Sequence, residues 1–272
     1  MSDAAVHLYQ IAYSAQTLAS LEPGFQLLDN TSNERPDWFE YWPIRRFLLE
    51  QPLDDTAFYG FFSPKFGFKT GLGHAAAKVI VQSQAAQVDV VLFSPQPDMG
   101  AFFLNVFEQA ETFDPGLIDA FEAFLTHIGR PTGLRSMVMD VRQTVFSNYF
   151  VARPAFWRAW LTLGEQLFFV CEGPDSAIQR GLTVGTTYGD AAQRKVFLQE
   201  RLASYLLCTD PGWRCHASNP FGFAWSSTRF KDYPVEAVIS DALKTAYRER
   251  AYPEYLAAFG RVREIFSGKP VL

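Results

Sequence analysis

The sequence predicts an α/β fold: a mostly parallel central sheet flanked by helices, in a single domain whose C-terminal part is more helical. Three observations carry this. Strand-like and helix-like segments alternate over the first hundred residues. The strands are nearly continuous apolar runs, as expected where both faces of a sheet are covered. From Ala101 onward the apolar residues fall mainly at the three- and four-residue spacing of helices.

Taken in order, VHLYQIAYS (Val6–Ser14) is a first strand, followed by a short helical stretch and the turn LEPG. FQLLDN (Phe25–Asn30) is a second strand, and the polar TSNERPDW connects it to a helix in WFEYWPIRRFLLEQ. Thr56–Phe62 is a third strand, running into Ser63-Pro64-Lys65 and then Lys69-Thr70-Gly71. LGHAAAKVIVQSQ reads as a helix and VDVVLFSP (Val88–Pro95) as a buried strand. AFFLNVFEQAETF and DPGLIDAFEAFLTHIG are helical, with Asp114-Pro115 placed as an N-cap and first-turn proline. LRSMVMD and SNYFVA read as strands, RPAFWRAWLTLGEQLFFVCE and QRKVFLQERLASYLL as helices. The tail from Asp210 is mixed and ends in a helix near SDALKTAYRERAYPEYLAAFGRVREIF.

Composition narrows the function classes. Hydrophobic residues are 48% and charged residues 19% of the chain, enough apolar mass for a sizeable core. Aromatics reach 16%, with 26 Phe, which favours thick packing layers and an aromatic-walled cleft. A net charge of −5 argues against a nucleic-acid binder, because it implies no broad cationic face. Cys171, Cys208 and Cys215 form no C-x-x-C pair and suit neither a zinc site nor a disulfide framework, so reduced thiols in a cytoplasmic protein are expected. The N-terminal segment lacks a cationic n-region and a long apolar h-region, so no signal peptide is expected. No apolar run approaches the ~18 residues of a spanning helix. The four histidines are scattered, and no G-x-S-x-G elbow, P-loop or complete dinucleotide fingerprint occurs, which disfavours hydrolase, kinase and dehydrogenase readings.

Two segments carry a family resemblance. SNYFVARPAFWRAWL (Ser147–Leu161), followed later by RKVFLQERLASYLL (Arg194–Leu207), resembles a pairing in bacterial polysaccharide glycosyltransferases of the GT-A, nucleotide-diphospho-sugar transferase-like kind. There a strand with an Asn precedes an aromatic helix, and a second helix carries F-x-x-E-R-L. YWPIRRFLL and FYGFFSPKF sit where those proteins have a helix and then the strand that brings the nucleotide sugar to the sheet edge. The resemblance implies residues 1–100 as a nucleotide-binding βα half and 101–272 as a more helical acceptor side. It also implies a nucleotide-diphospho-sugar donor, a glycan acceptor of bacterial surface or exopolysaccharide synthesis, and peripheral association with a membrane assembly machinery. Open α/β sheets independently favour a ligand beyond the carboxyl ends of their strands.

Metal-dependent members place D-x-D at the strand end. Here that position is Ser63-Pro64-Lys65 and no D-x-D occurs, which puts a divalent metal in doubt and assigns no metal ligand. A diphosphate leaving group still needs its charge balanced. Lys65 and Lys69, with Ser63 and backbone N–H groups around Gly67 and Gly71, are the candidates, against the plainer reading of solvated loop lysines. Asp29 and Asn30 end the second strand, either reading a base or ribose edge or forming an Asx turn. Arg45 either faces the donor or pairs with Glu40 or Glu50. Asp98 follows a strand exit and suits a sugar hydroxyl or, with a second converging aspartate, a metal. Glu200 interrupts the stripe Val196, Ala203, Leu207, so it is either the base that activates an acceptor hydroxyl or a buried ion pair with Arg142 or Arg153. Asp140 is the other candidate base, and Asn148 and Tyr149 are acceptor-side candidates. Two functions stay open: a glycosyltransferase, or a non-catalytic sugar-nucleotide-fold binding or scaffolding protein of the same pathway.

Overall fold

In the computed structural model, which describes residues 4–186 and 192–266, most of the segments expected as strands join one sheet, with a further short strand from the tail. These are β1 (Val6–Ala12), β2 (Gln26–Asp29), β3 (Phe58–Phe62), β4 (Val90–Leu92), β5 (Phe150–Ala152) and β6 (Cys215–Ala217). Among the described residues the sheet has six strands in the order β2-β1-β3-β5-β4-β6. β1 pairs parallel with β2 and β3, and β4 with β6. β5 runs antiparallel to both its neighbours, β3 and β4. The sheet is therefore mixed but mostly parallel, and helices flank it in a single domain.

β3 shows why its sequence does not alternate. Tyr59 and Phe61 point into one apolar layer while Phe58 and Phe62 point into the other, and all four are buried. With both faces covered, every position wants an apolar side chain. Gly60 is the exception that closeness demands: a Cβ there would lie 2.7 Å from the Val151 side chain on β5. Between strands run α1 (Ala15–Ala19), α2 (Tyr41–Glu50), α3 (Phe66–Thr70), α4 (His74–Gln84), α5 (Pro97–Ala101), α6 (Val106–Phe113) and α7 (Leu117–His127). After β5 come α8 (Pro154–Cys171), α9 (Ala177–Thr183), α10 (Arg194–Glu200) and α11 (Leu202–Thr209), and after β6 come α12 (Pro234–Arg250) and α13 (Pro253–Arg263). α8 lies on the larger layer through Trp157, which donates from Nε1 to the Tyr59 carbonyl at 2.9 Å and stacks on Phe150 with centroids 4.4 Å apart.

Local departures from the sequence reading have local causes. LRSMVMD is a 3-10 turn (Leu134–Ser136) and an irregular segment rather than a strand. Its Met139 N–H goes to the Leu104 carbonyl, outside the sheet. The helix expected over 101–113 is interrupted at Asn105, whose side chain accepts from the N–H groups of Phe107 and Glu108 and so starts α6. Asp114 does not cap α7. It holds Arg194 through two bonds of 2.7 and 2.9 Å, while the Glu111 carboxylate takes the N–H groups of Gly116 and Ile118. The single helix expected over Gln193–Leu207 is split at Arg201. There the guanidinium takes the Phe197 carbonyl at 2.7 Å, and the backbone N–H turns to Leu198. Cys171, Cys208 and Cys215 are free thiols. No described helix is long and apolar enough to cross a membrane.

Candidate functional site

Because β1, β2 and β3 are parallel, their carboxyl ends reach the same edge, and a cavity of about 550 Å³ opens there. That volume suits a small-molecule ligand. Ile11 and Tyr13 line it from the exit of β1, and Asn30, Asn33, Pro36, Phe39 and Glu40 from the segment between β2 and α2. Ser63, Lys65 and Lys69 come from the exit of β3, Ser147 from the turn before β5, and Val196 and Glu200 from α10.

The β3 exit is built to present its cations. Lys65 precedes the single turn of α3 and Lys69 follows four residues later, so both fall on one face of that turn. Lys65 is exposed and Lys69 half-buried. Lys69 donates from Nζ to Ser147 Oγ at 2.8 Å. Ser147 and Asn148 are consecutive non-glycine residues with left-handed backbone, φ 60 and 52, a strained turn at the cavity wall. Burial lowers the Lys69 pKa, against the pull of Glu40 and Glu200. The backbone donors expected around Gly71 are committed, since the Gly71 N–H closes α3 onto the Gly67 carbonyl at 2.8 Å.

Two carboxylates share the cavity. Glu40 is pushed up to about 8, first by burial and then by the Glu200 charge, while Lys69, the Ser63 hydroxyl and Lys65 pull it down. Glu200 is also raised by burial, opposed by Arg201 and Lys69. It pairs with neither Arg142 nor Arg153: Arg142 is taken by Asp140 and Glu249, and Arg153 donates to the carbonyls of Thr56 and Ala85. Ser63 Oγ in turn lies 2.5 Å from the phenol oxygen of the fully buried Tyr149. Among the described residues no group of three His, Cys, Asp or Glu side chains is arranged to hold a metal ion.

The structure thus gathers Ser63, Lys65, Lys69, Asn30 and Glu200 on one cavity, whereas Tyr149, expected on the acceptor side, is fully buried behind Ser63 and does not line it. The other candidates are engaged elsewhere. Asp29 folds its carboxylate onto the Thr31 N–H and hydroxyl, an Asx turn that lowers its pKa. Arg45 forms a two-bond pair with Glu165 on α8, at 2.5 and 2.9 Å, rather than with Glu40 or Glu50. Asp98 is fully buried and accepts from the Ser226 N–H and hydroxyl. Asp140 is fully buried too. Burial would raise its pKa, but the hydrogen bonds and charge of Arg142, with Arg248, bring it below the ordinary range. Asn148 lies behind the wall, donating to Gln199 at 3.4 Å. Sequence reasoning missed Glu40 and Phe39, which stand among aromatics in DWFEYW. The available signal was a lone carboxylate at the start of an otherwise core-facing helix.

No protein-family model, curated protein or solved structure matches this chain.

Proposed function

We propose that the cleft binds a nucleotide-diphospho-sugar and transfers its sugar to a hydroxyl of a glycan acceptor, as a GT-A-like glycosyltransferase of bacterial surface or exopolysaccharide synthesis acting in the cytoplasm. The observation that carries this reading is the convergence of Lys65, Lys69 and Glu200 on one cavity at the carboxyl ends of three parallel strands. Lys65 and Lys69 meet the diphosphate and stabilise the charge that develops as the anomeric C–O bond breaks. The nucleoside diphosphate leaves with the bonding electron pair. The acceptor oxygen forms the new bond to the anomeric carbon, and its proton passes to the Glu200 carboxylate. A raised carboxylate pKa makes a better proton acceptor than an ordinary one. A protonated Glu40 leaves the two lysines in excess over carboxylate charge at neutral pH, which favours an anionic ligand. Asp140, sealed against Arg142, takes no part.

Thermal shift and titration calorimetry with a panel of nucleoside diphosphates and nucleotide sugars, with and without Mn²⁺, test the reading. One or more should bind, and Lys65→Ala and Lys69→Ala should each weaken binding. Absence of binding across the panel, or unchanged affinity in both variants, overturns it. Binding without any sugar transfer or donor hydrolysis would leave the non-catalytic binding protein.

A further inference from the structure

Phe39 stands out on the cavity lining because its conformation is costly and its ring is exposed. Its backbone lies at φ 47 and ψ −129, the region of the first central residue of a type II′ turn, which glycine dominates. A non-glycine residue stays there only when its surroundings force it, and such strain gathers at functional sites. Both flanks supply the force. Trp38 is 1% exposed, and its Nε1 donates to Glu172 at 2.9 Å. Tyr41 is fully buried, and its hydroxyl donates to Glu165 at 2.9 Å. With these two anchored in the core, the chain between them reverses within Phe39-Glu40. The reversal sets Glu40 on the cavity and leaves Phe39 48% exposed on the same lining.

An aromatic ring left half in water at a backbone cost is poorly explained by packing. We infer that Phe39 is a stacking platform for the base of the bound nucleotide. This rests on the nucleotide-sugar reading and adds the residue that grips the base. β2 and β3 flank β1, so their exits are about 10 Å apart at the usual strand spacing. The lysines at the β3 exit meet the phosphates, and the segment leaving β2 meets the ring. Among the described residues, Tyr13, 43% exposed at the exit of β1, is the other exposed aromatic on the lining.

The test uses the full chain, titrated with uridine, guanosine, adenosine and thymidine diphosphates, and with inorganic pyrophosphate as the ringless probe. Phe39→Gly and Phe39→Leu should bind the preferred nucleotide roughly five- to a hundredfold more weakly, the usual range for a lost base–aromatic stack. Pyrophosphate affinity should stay at the wild-type value, and Phe39→Tyr should retain nucleotide affinity. The Tm of Phe39→Gly should not fall, because glycine relieves the strain; a purely structural Phe39 would lower it. Unchanged nucleotide affinity in Phe39→Gly and Phe39→Leu overturns the platform while leaving the nucleotide-sugar reading in place. Equal weakening of nucleotide and pyrophosphate shows that Phe39 shapes the cleft instead, which also overturns it. If no diphosphate of the panel binds the wild type, the reading and the platform fall together.

Discussion

Lys69 Nζ donates to Ser147 Oγ at 2.8 Å across 78 residues of sequence, tying the exit of β3 to the strained turn before β5. The bond fixes a cation at the wall that also carries Glu40 and Glu200. Lys69→Met keeps much of the side-chain length and removes the charge. It should weaken nucleoside-diphosphate binding about ten- to a hundredfold, as for a lost charge-assisted hydrogen bond worth ~1.5–3 kcal/mol. Ser147→Ala leaves the charge and frees its position, so calorimetry should show a smaller loss. Wild-type affinity in Lys69→Met would remove the lysine from the site.

Glu40 makes stability depend on pH. Its folded pKa of about 8 lies above the ordinary carboxylate value of 4.5. Between these values the folded protein holds a proton that the unfolded chain has released. The contribution is therefore fully present below about pH 4.5 and lost as pH rises through about 8. Glu40→Gln lacks this titration. Its stability relative to wild type should climb across that window, reaching about 2–3 kcal/mol after allowing for cavity water. Chemical denaturation of both proteins from pH 5 to 9 reads the difference, and a flat difference would show that Glu40 ionises normally.

Arg45 is predicted to be structural. Its guanidinium lies over Phe168 at 4.4 Å and pairs with Glu165, both side chains mostly buried. Arg45→Ala leaves Glu165 uncompensated and should cost about 2–4 kcal/mol. Arg45→Met with Glu165→Leu should cost less than either single change. Urea denaturation measures the cycle, and donor affinity of folded Arg45→Ala, which keeps Glu165 on the Tyr41 hydroxyl, should match wild type.

Trp157 sets the height of α8 on the sheet. Trp157→Phe should lose the bond to the Tyr59 carbonyl and part of the ring packing, costing about 1–3 kcal/mol, while Trp157→Ala should cost about 3–5 kcal/mol or more. Equal costs in denaturation would mean that the hydrogen bond, not the packing, dominates.

β1, β3, β4 and β5 were legible because a doubly covered sheet writes itself as apolar runs, and β3 is the clearest case; β6, Cys-His-Ala in the tail, carries no such run. Lys65, Lys69 and Glu200 were legible because a cation at a strand exit and a carboxylate in an apolar stripe each break a local pattern. Glu40 and Phe39 were hidden because their aromatic neighbours belong to the core and the reversal at Phe39 depends on tertiary anchors. Asp98 and Asp140 misled in the opposite sense. Strand-exit aspartates look alike in sequence, whether they face a ligand or accept hydrogen bonds from Ser226 or Arg142. The division into α10 and α11 was also invisible, because it comes from the Arg201 side chain taking a helix carbonyl.

The role of Glu200 as the base is tested by measuring turnover and binding together in Glu200→Gln. Nucleoside diphosphate released from the preferred sugar donor, with acceptor present, reads turnover; calorimetry with the same donor reads binding. Glu200→Gln should fold, bind donor as wild type does, and turn over at least about a hundredfold more slowly, within the usual range for losing a general base. Wild-type turnover in Glu200→Gln would contradict that role.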